Sequence, residues 1–452
     1  MKTECGVFGV SETVKDDKNN ITETINGLRL LQHRGRESAG IAYYRDDFKF
    51  FKNNGLVKEV FEDYTPPDNI SRCIGHVRYS TSGKSKRGQI VTDEVFKEIQ
   101  PYTTDDFALV YNGNISDLSR AITKFNIKDV TIDTEMIVEI IKSIQKPTFE
   151  EKLIEFIKNV NGVYCLIILR KDVMYCLRDS FGVRPLSICK KDNKFYISSE
   201  TCAFDFEYTD LQEVKPGEIL RIDNEITQVY HHTQPETKMC IFEPIYFMNK
   251  DSIVNNQSLE QIRYNIGKLF GESESAYFEN TIVGGCPETG NPYGEGFAKG
   301  VGLPYVQFMK KKKDCGRTFI LPDNDKRIVA CKKNLYVAED IKGKNVILVD
   351  DSLVRGNTLT SVIETLRNCG AEKVHIRITS PPVENPCYFG VDIPSYDELI
   401  AHKYSVEEIR QKINADSLVY VSLDVVKKAI GITEGFCSAC FDGEYCDDLM
   451  NW

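Results

Sequence analysis

The sequence predicts two domains of different class: a strand-rich, two-layered α+β domain running to about residue 230, then an α/β domain built on a parallel sheet. Three observations carry this. A chain of 452 residues is too long for one ordinary hydrophobic core and suits two domains of roughly 200 residues each. The first half holds many short strand-like runs and few helical ones. Past HHTQPETKM (231–239), a polar stretch with a proline and no pattern, strands and helical stretches alternate, as they do in βαβ units.

In order, the chain opens MKTECGVFGV, with a lone cysteine directly before a glycine and an apolar strand. No neighbouring side chain offers the base that a reactive thiol needs. ITETINGLRLLQHRG reads as a helix, with Ile21, Ile25, Leu28 and Leu31 at helical spacing and Gly35 as its stop. FALVYNG, GVYCLIILR, MYCLRD, KFYISS and EILRID read as strands, and SIQKPTFEEKLIEFIKNV as a second amphipathic helix. In the second half, TIVGG precedes a helix, KNVILVDD precedes the helix SVIETLRNCG, and KVHIRITS precedes a loop. The lysines at 310–313 read as a solvated loop.

Composition narrows the function. The charged and hydrophobic fractions, 27% and 41%, are those of a globular protein. A net charge of −10 argues against nucleic acid as partner, yet leaves room for a locally positive pocket that takes a small anion. The sequence has neither a membrane-span-length apolar run nor a signal-peptide pattern, so the cytoplasm is the expected location. Fifteen cysteines over this length do not make a disulfide scaffold, so Cys165, Cys189 and Cys202 are expected to be packed thiols.

The strongest local signal is VILVDDSLVRGNTLTSVIETLRN. Val346 to Val349 make a buried strand, Asp350 and Asp351 end it, and Ser352 to Thr358 form a polar turn into a helix. A helix start offers unpaired amides and a positive dipole end to an anion. Gly356 permits close backbone approach, Ser352 and Thr358 supply hydroxyls, and the aspartates suit ribose hydroxyls or Mg²⁺. The spacing is not that of a Walker loop; it resembles the loop that holds phosphoribosyl pyrophosphate (PRPP) in type I phosphoribosyltransferases. Near the C-terminus, Cys437 and Cys440 form C-S-A-C, a pattern shared by zinc, iron–sulfur and redox sites. Cys240 and Cys387 flank predicted strands beside aromatics and prolines, and Cys446 is a further thiol nearby in sequence.

Ordered segments along nearly the whole chain carry a wider resemblance: CGVFGV, LQHRGRESAGI, GHVRYST, YNGNISD, DTEM, GVRPLSI, SSETCAFD, VKPGEIL, GRTFILP, VDDSLVRGNT, SPPVENPC and CSAC. Together they resemble the glutamine PRPP amidotransferases, specifically the subgroup with a propeptide and a [4Fe–4S] cluster. The resemblance implies an N-terminal-nucleophile hydrolase domain, an αββα sandwich, over 5–230. A type I phosphoribosyltransferase domain with a C-terminal cluster-binding segment would follow over 240–452. Residues 1–4 would be a propeptide, whose removal makes Cys5 the chain terminus and gives its thiol the missing base.

By the same resemblance, Asn112 and Gly113 form the oxyanion hole, Arg78 binds the α-carboxylate of glutamine and Asp133 its α-ammonium. Ser352, Arg355, Gly356, Asn357, Thr358 and Lys333 bind PRPP. Thr289, Asp350 and Asp351 hold Mg²⁺, and Cys240, Cys387, Cys437 and Cys440 hold the cluster. The implied activity is the first step of purine synthesis, in a dimer or tetramer open to purine-nucleotide inhibition.

Departures concentrate in the second half. Asn249 and Lys250 stand in YFMNKDS where the family has Arg and Pro. Asp314 replaces an aromatic, Cys331 an arginine, Asn357 a threonine, and Thr289 a serine; in the first half, Arg36 replaces a glutamine. These leave two alternatives: an amidotransferase with another phosphoribosyl-type acceptor, or a PRPP-binding regulatory protein without efficient transfer.

Overall fold

The structure is a computed structural model and describes residues 5–13, 20–79, 92–115, 118–128, 130, 132–232, 237–274, 279–311, 335–337, 341–391, 393 and 395–446. The proposed propeptide 1–4, and Asp314, Cys331, Lys332 and Lys333, lie outside the described residues.

The first half is a helix–sheet–sheet–helix sandwich. One antiparallel sheet orders its strands Thr209–Glu213, Ser187–Lys191, Lys194–Ser198, Gly6–Glu12, Arg72–Arg78, Ser38–Arg45 and Asp47–Asn54. The other orders Ile226–His231, Glu218–Ile222, Met174–Arg178, Val163–Leu169, Ala108–Asn114 and Tyr102–Thr103. Alternation along each strand sends one set of apolar residues between the sheets and the other set toward a helix layer. In Gly6–Glu12, Val7 packs between the sheets with Ile74, Val110, Ile167 and Ile197. Phe8 and Val10 pack outward on Ile21, Ile25, Leu28 and Leu31. On the far side, helices Asp133–Ser143 and Phe149–Asn159 cover the second sheet through Met136, Ile140, Leu153 and Phe156.

Two expectations change in detail. The second predicted helix begins only at Phe149, because Pro147 and the capping box of Thr148 with Glu151 set a start there. The first helix ends at Leu30, before Gly35. Gly35 answers a different need: a Cβ there would lie 2.6 Å from the backbone of Arg78. Cys165 and Cys189 are buried as expected, whereas Cys202 is half-buried, with its Sγ 3.7 Å from a Glu200 carboxylate oxygen.

The second half carries a parallel sheet ordered Thr281–Gly285, Asn345–Asp350, Lys373–Ile378 and Ser417–Tyr420. Helices Leu259–Ser273, Gly290–Val301 and Asn357–Asn368 accompany it. The halves share a core: Val163, Phe181 and Val183 of the sandwich pack with Ile241, Phe242 and Ile245. A two-residue parallel ribbon, Met239–Cys240 against Phe436–Cys437, ties the C-terminal segment to the start of the second half. Among the described residues, no helix is long and apolar enough to cross a membrane.

Candidate active site

Cys5 sits at the mouth of the strand Gly6–Glu12 and is 2% exposed. Its backbone is held from both ends. The nitrogen donates to Asn112 Oδ1 at 3.3 Å, and the carbonyl accepts from Arg34 Nε at 2.9 Å. Asn112 lies in the strand Ala108–Asn114, fully buried, and its Nδ2 has no hydrogen-bond partner. A buried amide donor left unpaired costs roughly 1–3 kcal/mol, so its retention beside a thiol points to a ligand that accepts from it. Gly113 follows; a Cβ there would fall 1.9 Å from the Val163 carbonyl oxygen, so strand pairing admits only glycine.

Register brings Arg78 to the same place. Gly6 pairs with Val77, so Cys5 falls opposite Arg78, at the end of Arg72–Arg78. Arg78 is buried and its Nη2 donates to Glu98 Oε2 at 2.6 Å. Asp133 opens the helix Asp133–Ser143, where the helix dipole favours a carboxylate, while burial pushes its carboxyl up to about 6. Burial, and then the charges of Asp133 and of Cys5, raise the Tyr111 phenol well above its ordinary value.

The candidate phosphate-binding residues lie at the carboxyl ends of the parallel strands, where open α/β sheets bind ligands. Asp350 ends its strand, and its carboxyl is raised by burial and by the charge of Asp351 beside it. Ser352 Oγ donates to Asp351 Oδ1 at 2.8 Å. Gly356 has φ +84°, the left-handed region that glycine favours, immediately before the helix Asn357–Asn368. Asn357 and Thr358 occupy its first turn, and Arg355 pairs with Glu398. Thr289 directly precedes the helix Gly290–Val301. That helix start abuts the Asp350 strand: Cys286 N–H donates to the Val349 carbonyl at 2.8 Å, bringing the two candidate metal-site segments together.

Cys240, Cys387, Cys437 and Cys440 line one cavity with Arg184 and Phe242. Cys387 Sγ accepts from the N–H groups of Phe389 (3.3 Å) and Val391 (3.4 Å). Burial pushes the Cys437 thiol up to about 12 and raises Cys240 and Cys440 as well. No three of these four sulfurs lie within 4.8 Å of one another, whereas the ligand atoms of His33, Glu200 and Cys202 do. That trio is not a cation site, because Arg34 Nη1 already sits 2.5 Å from the same Glu200 oxygen that His33 approaches.

Sequence reasoning did not single out Arg34, Glu98, Glu200, Glu243 or Arg184. Arg34, Arg184 and Glu200 lie within the family-like segments LQHRGRESAGI, GVRPLSI and SSETCAFD, whereas Glu98 and Glu243 lie in none.

Comparison with known proteins covers both halves. A glutamine amidotransferase domain model matches residues 86–205, and a phosphoribosyl transferase domain model matches 251–385. The amidophosphoribosyltransferase of Pyrococcus horikoshii is 37% identical over 456 residues, covering 98% of this chain and 97% of that one. That of Bacillus subtilis is 34% identical, covering 99% and 95%. The solved B. subtilis glutamine PRPP amidotransferase, complexed with ADP and GMP, superimposes with a TM-score of 0.85 at 33% identity, over 98% of this chain and 97% of that one. Likeness of this extent in both halves favours ordinary transfer over the two alternatives: the chain belongs to the amidophosphoribosyltransferase family, whose members use glutamine to aminate PRPP in purine synthesis.

Proposed function

We propose that Cys5, freed at the chain terminus by hydrolysis of the Glu4–Cys5 bond, is the nucleophile of this reaction. The observation that carries this is Asn112, with one amide atom on the Cys5 nitrogen and the other buried and unpaired beside it. An α-amine titrates at about 8, so it takes the thiol proton directly or through one water. The thiolate attacks the side-chain amide carbon of glutamine, and the oxyanion that forms is received by Asn112 Nδ2 and the Gly113 N–H. The protonated amine passes its proton to the departing ammonia. Water, deprotonated by the same amine, then cleaves the thioester to glutamate and restores the thiol. Arg78 holds the α-carboxylate of glutamine, and Asp133 holds its α-ammonium.

Ammonia passes internally to C1 of PRPP, displacing pyrophosphate and giving 5-phosphoribosylamine. The first-turn amides at Asn357 and Thr358, with Ser352, Arg355, Gly356 and Lys333, hold the anionic substrate. Asp350 and Asp351, two crowded carboxyls beside Thr289, are hard oxygen donors of the kind Mg²⁺ takes. Mg²⁺ held there would supply positive charge to offset that of the pyrophosphate leaving group.

The four cysteines hold a [4Fe–4S] cluster whose role is structural, pinning residues 436–446 to the domain junction. The four sulfurs line one cavity, and the two amides aimed at Cys387 Sγ suit a sulfur ligand. Anaerobic purification should give brown protein with about four irons per chain; zinc in their place contradicts the cluster. The same reading takes residues 1–4 as propeptide, 5–230 and 240–452 as the two domains, the cytoplasm as location, and a dimer or tetramer as assembly. The nucleotides in the B. subtilis complex support purine nucleotides as inhibitors.

Cys5→Ser tests the central role. Glutamine-dependent formation of pyrophosphate should fall on the order of 10³-fold or more, while ammonium-dependent formation persists. Loss of both, or of neither, contradicts it.

A further inference from the structure

The glutamine site contains a carboxylate that the transferase half supplies. Arg34, in the turn after the first helix, is 3% exposed and is held at each nitrogen of its guanidinium. Nε donates to the Cys5 carbonyl at 2.9 Å. Nη1 donates to Glu200 Oε1 at 2.5 Å and to Glu243 Oε2 at 3.1 Å, and Nη2 donates to Glu243 Oε1 at 2.9 Å. Glu243 belongs to the short helical turn Glu243–Phe247, beyond the domain junction, and is 1% exposed. It also accepts from Arg184 Nη1 at 2.7 Å. A second link crosses at Glu200, whose Oε2 accepts from the Asn249 N–H at 2.8 Å and from Ser252 Oγ at 2.7 Å.

The charges agree with this arrangement. Burial opposes ionisation of Glu200 and of Glu243. The groups facing them outweigh it, His33 and Arg34 for Glu200, Arg34 and Arg184 for Glu243, so both carboxyls lie below the ordinary range. A planar guanidinium gripped by a bidentate carboxylate has one orientation, so the direction of Nε is fixed by Glu243.

We infer that Glu243 is a positioning residue for glutamine hydrolysis: through Arg34 it fixes the Cys5 backbone, so the glutaminase half is complete only when docked on the transferase half. This rests on Cys5 as nucleophile, whose own α-nitrogen is the base. Without Arg34 on its carbonyl, the Cys5 backbone can shift as a unit, carrying amine and thiol out of line with Asn112. A buried ion network that only glues the halves together would have no such selective effect.

The test uses the full chain with Glu243→Gln, Arg34→Lys and the double variant. Pyrophosphate release from PRPP is measured with glutamine and, separately, with ammonium chloride. Glu243→Gln should lower kcat with glutamine about tenfold or more, leave KM for glutamine within about twofold, and leave the ammonium-dependent rate within about twofold. The double variant should lose no more than Arg34→Lys alone, because one route carries both effects. Parallel loss of the ammonium-dependent rate, an unchanged kcat with glutamine, or losses that multiply would each overturn the inference. If Arg34→Lys does not fold, the kcat and KM of Glu243→Gln decide it. Cys5→Ser run alongside separates the two readings: if it retains glutamine use, the nucleophile assignment has failed rather than the relay.

Discussion

The proposed glutamine site and the proposed PRPP site are built on opposite principles. The first is carried by strands in the middle of a sandwich: Cys5, Asn112 and Arg78 are all buried, register sets Cys5 opposite Arg78 within one sheet, and Asn112 meets Cys5 from the other sheet. The second stands on strand ends, a helix start and the polar turn 352–356. The difference follows from the chemistry. An oxyanion that exists only in the transition state needs donors placed to a fraction of an ångström, which paired strands provide. A phosphate is a permanent anion that several first-turn amides can share, so individual side chains around it are replaceable. Most departures from the family, Asn249, Lys250, Thr289 and Asn357 among them, lie in the transferase half; Arg36 is the exception in the first half.

If that contrast holds, single substitutions should cost more on the glutamine side. Asn112→Ala removes one of two oxyanion donors and should lower kcat with glutamine about 10²–10³-fold with ammonium-dependent transfer intact. A loss under about tenfold would take Asn112 out of the oxyanion hole. Asp350→Asn removes one charge from a pair and should weaken PRPP use about 10–100-fold with either nitrogen source, the range for one charged hydrogen bond. Steady-state kinetics with varied PRPP and Mg²⁺ checks this, and an effect larger than that of Asn112→Ala would reverse the comparison.

Much of this architecture was legible in the residues. Runs rich in β-branched and aromatic residues and bounded by turn residues, VYCLIIL among them, marked strands, and strand–helix alternation after residue 240 marked the parallel sheet. The phosphate loop was legible because its parts are contiguous, from Val346 to Asn368. What sequence could not give was anything assembled across long separations. Arg34 and Glu243 are 209 residues apart, and each reads alone as an ordinary surface charge until folding buries both. Gly35 misled for a related reason, since its constraint is the backbone of Arg78 rather than the end of its own helix. The order of strands in the two antiparallel sheets was likewise beyond a single sequence, although the family resemblance supplied the sandwich.

The proposed glutamine chemistry depends on the free amine of Cys5. Intact-mass and N-terminal mass spectrometry of purified enzyme with measured glutamine-dependent activity tests it most directly. The predicted result is a chain that begins at Cys5, lacking Met1–Glu4. A fully active preparation that retains those four residues would contradict it.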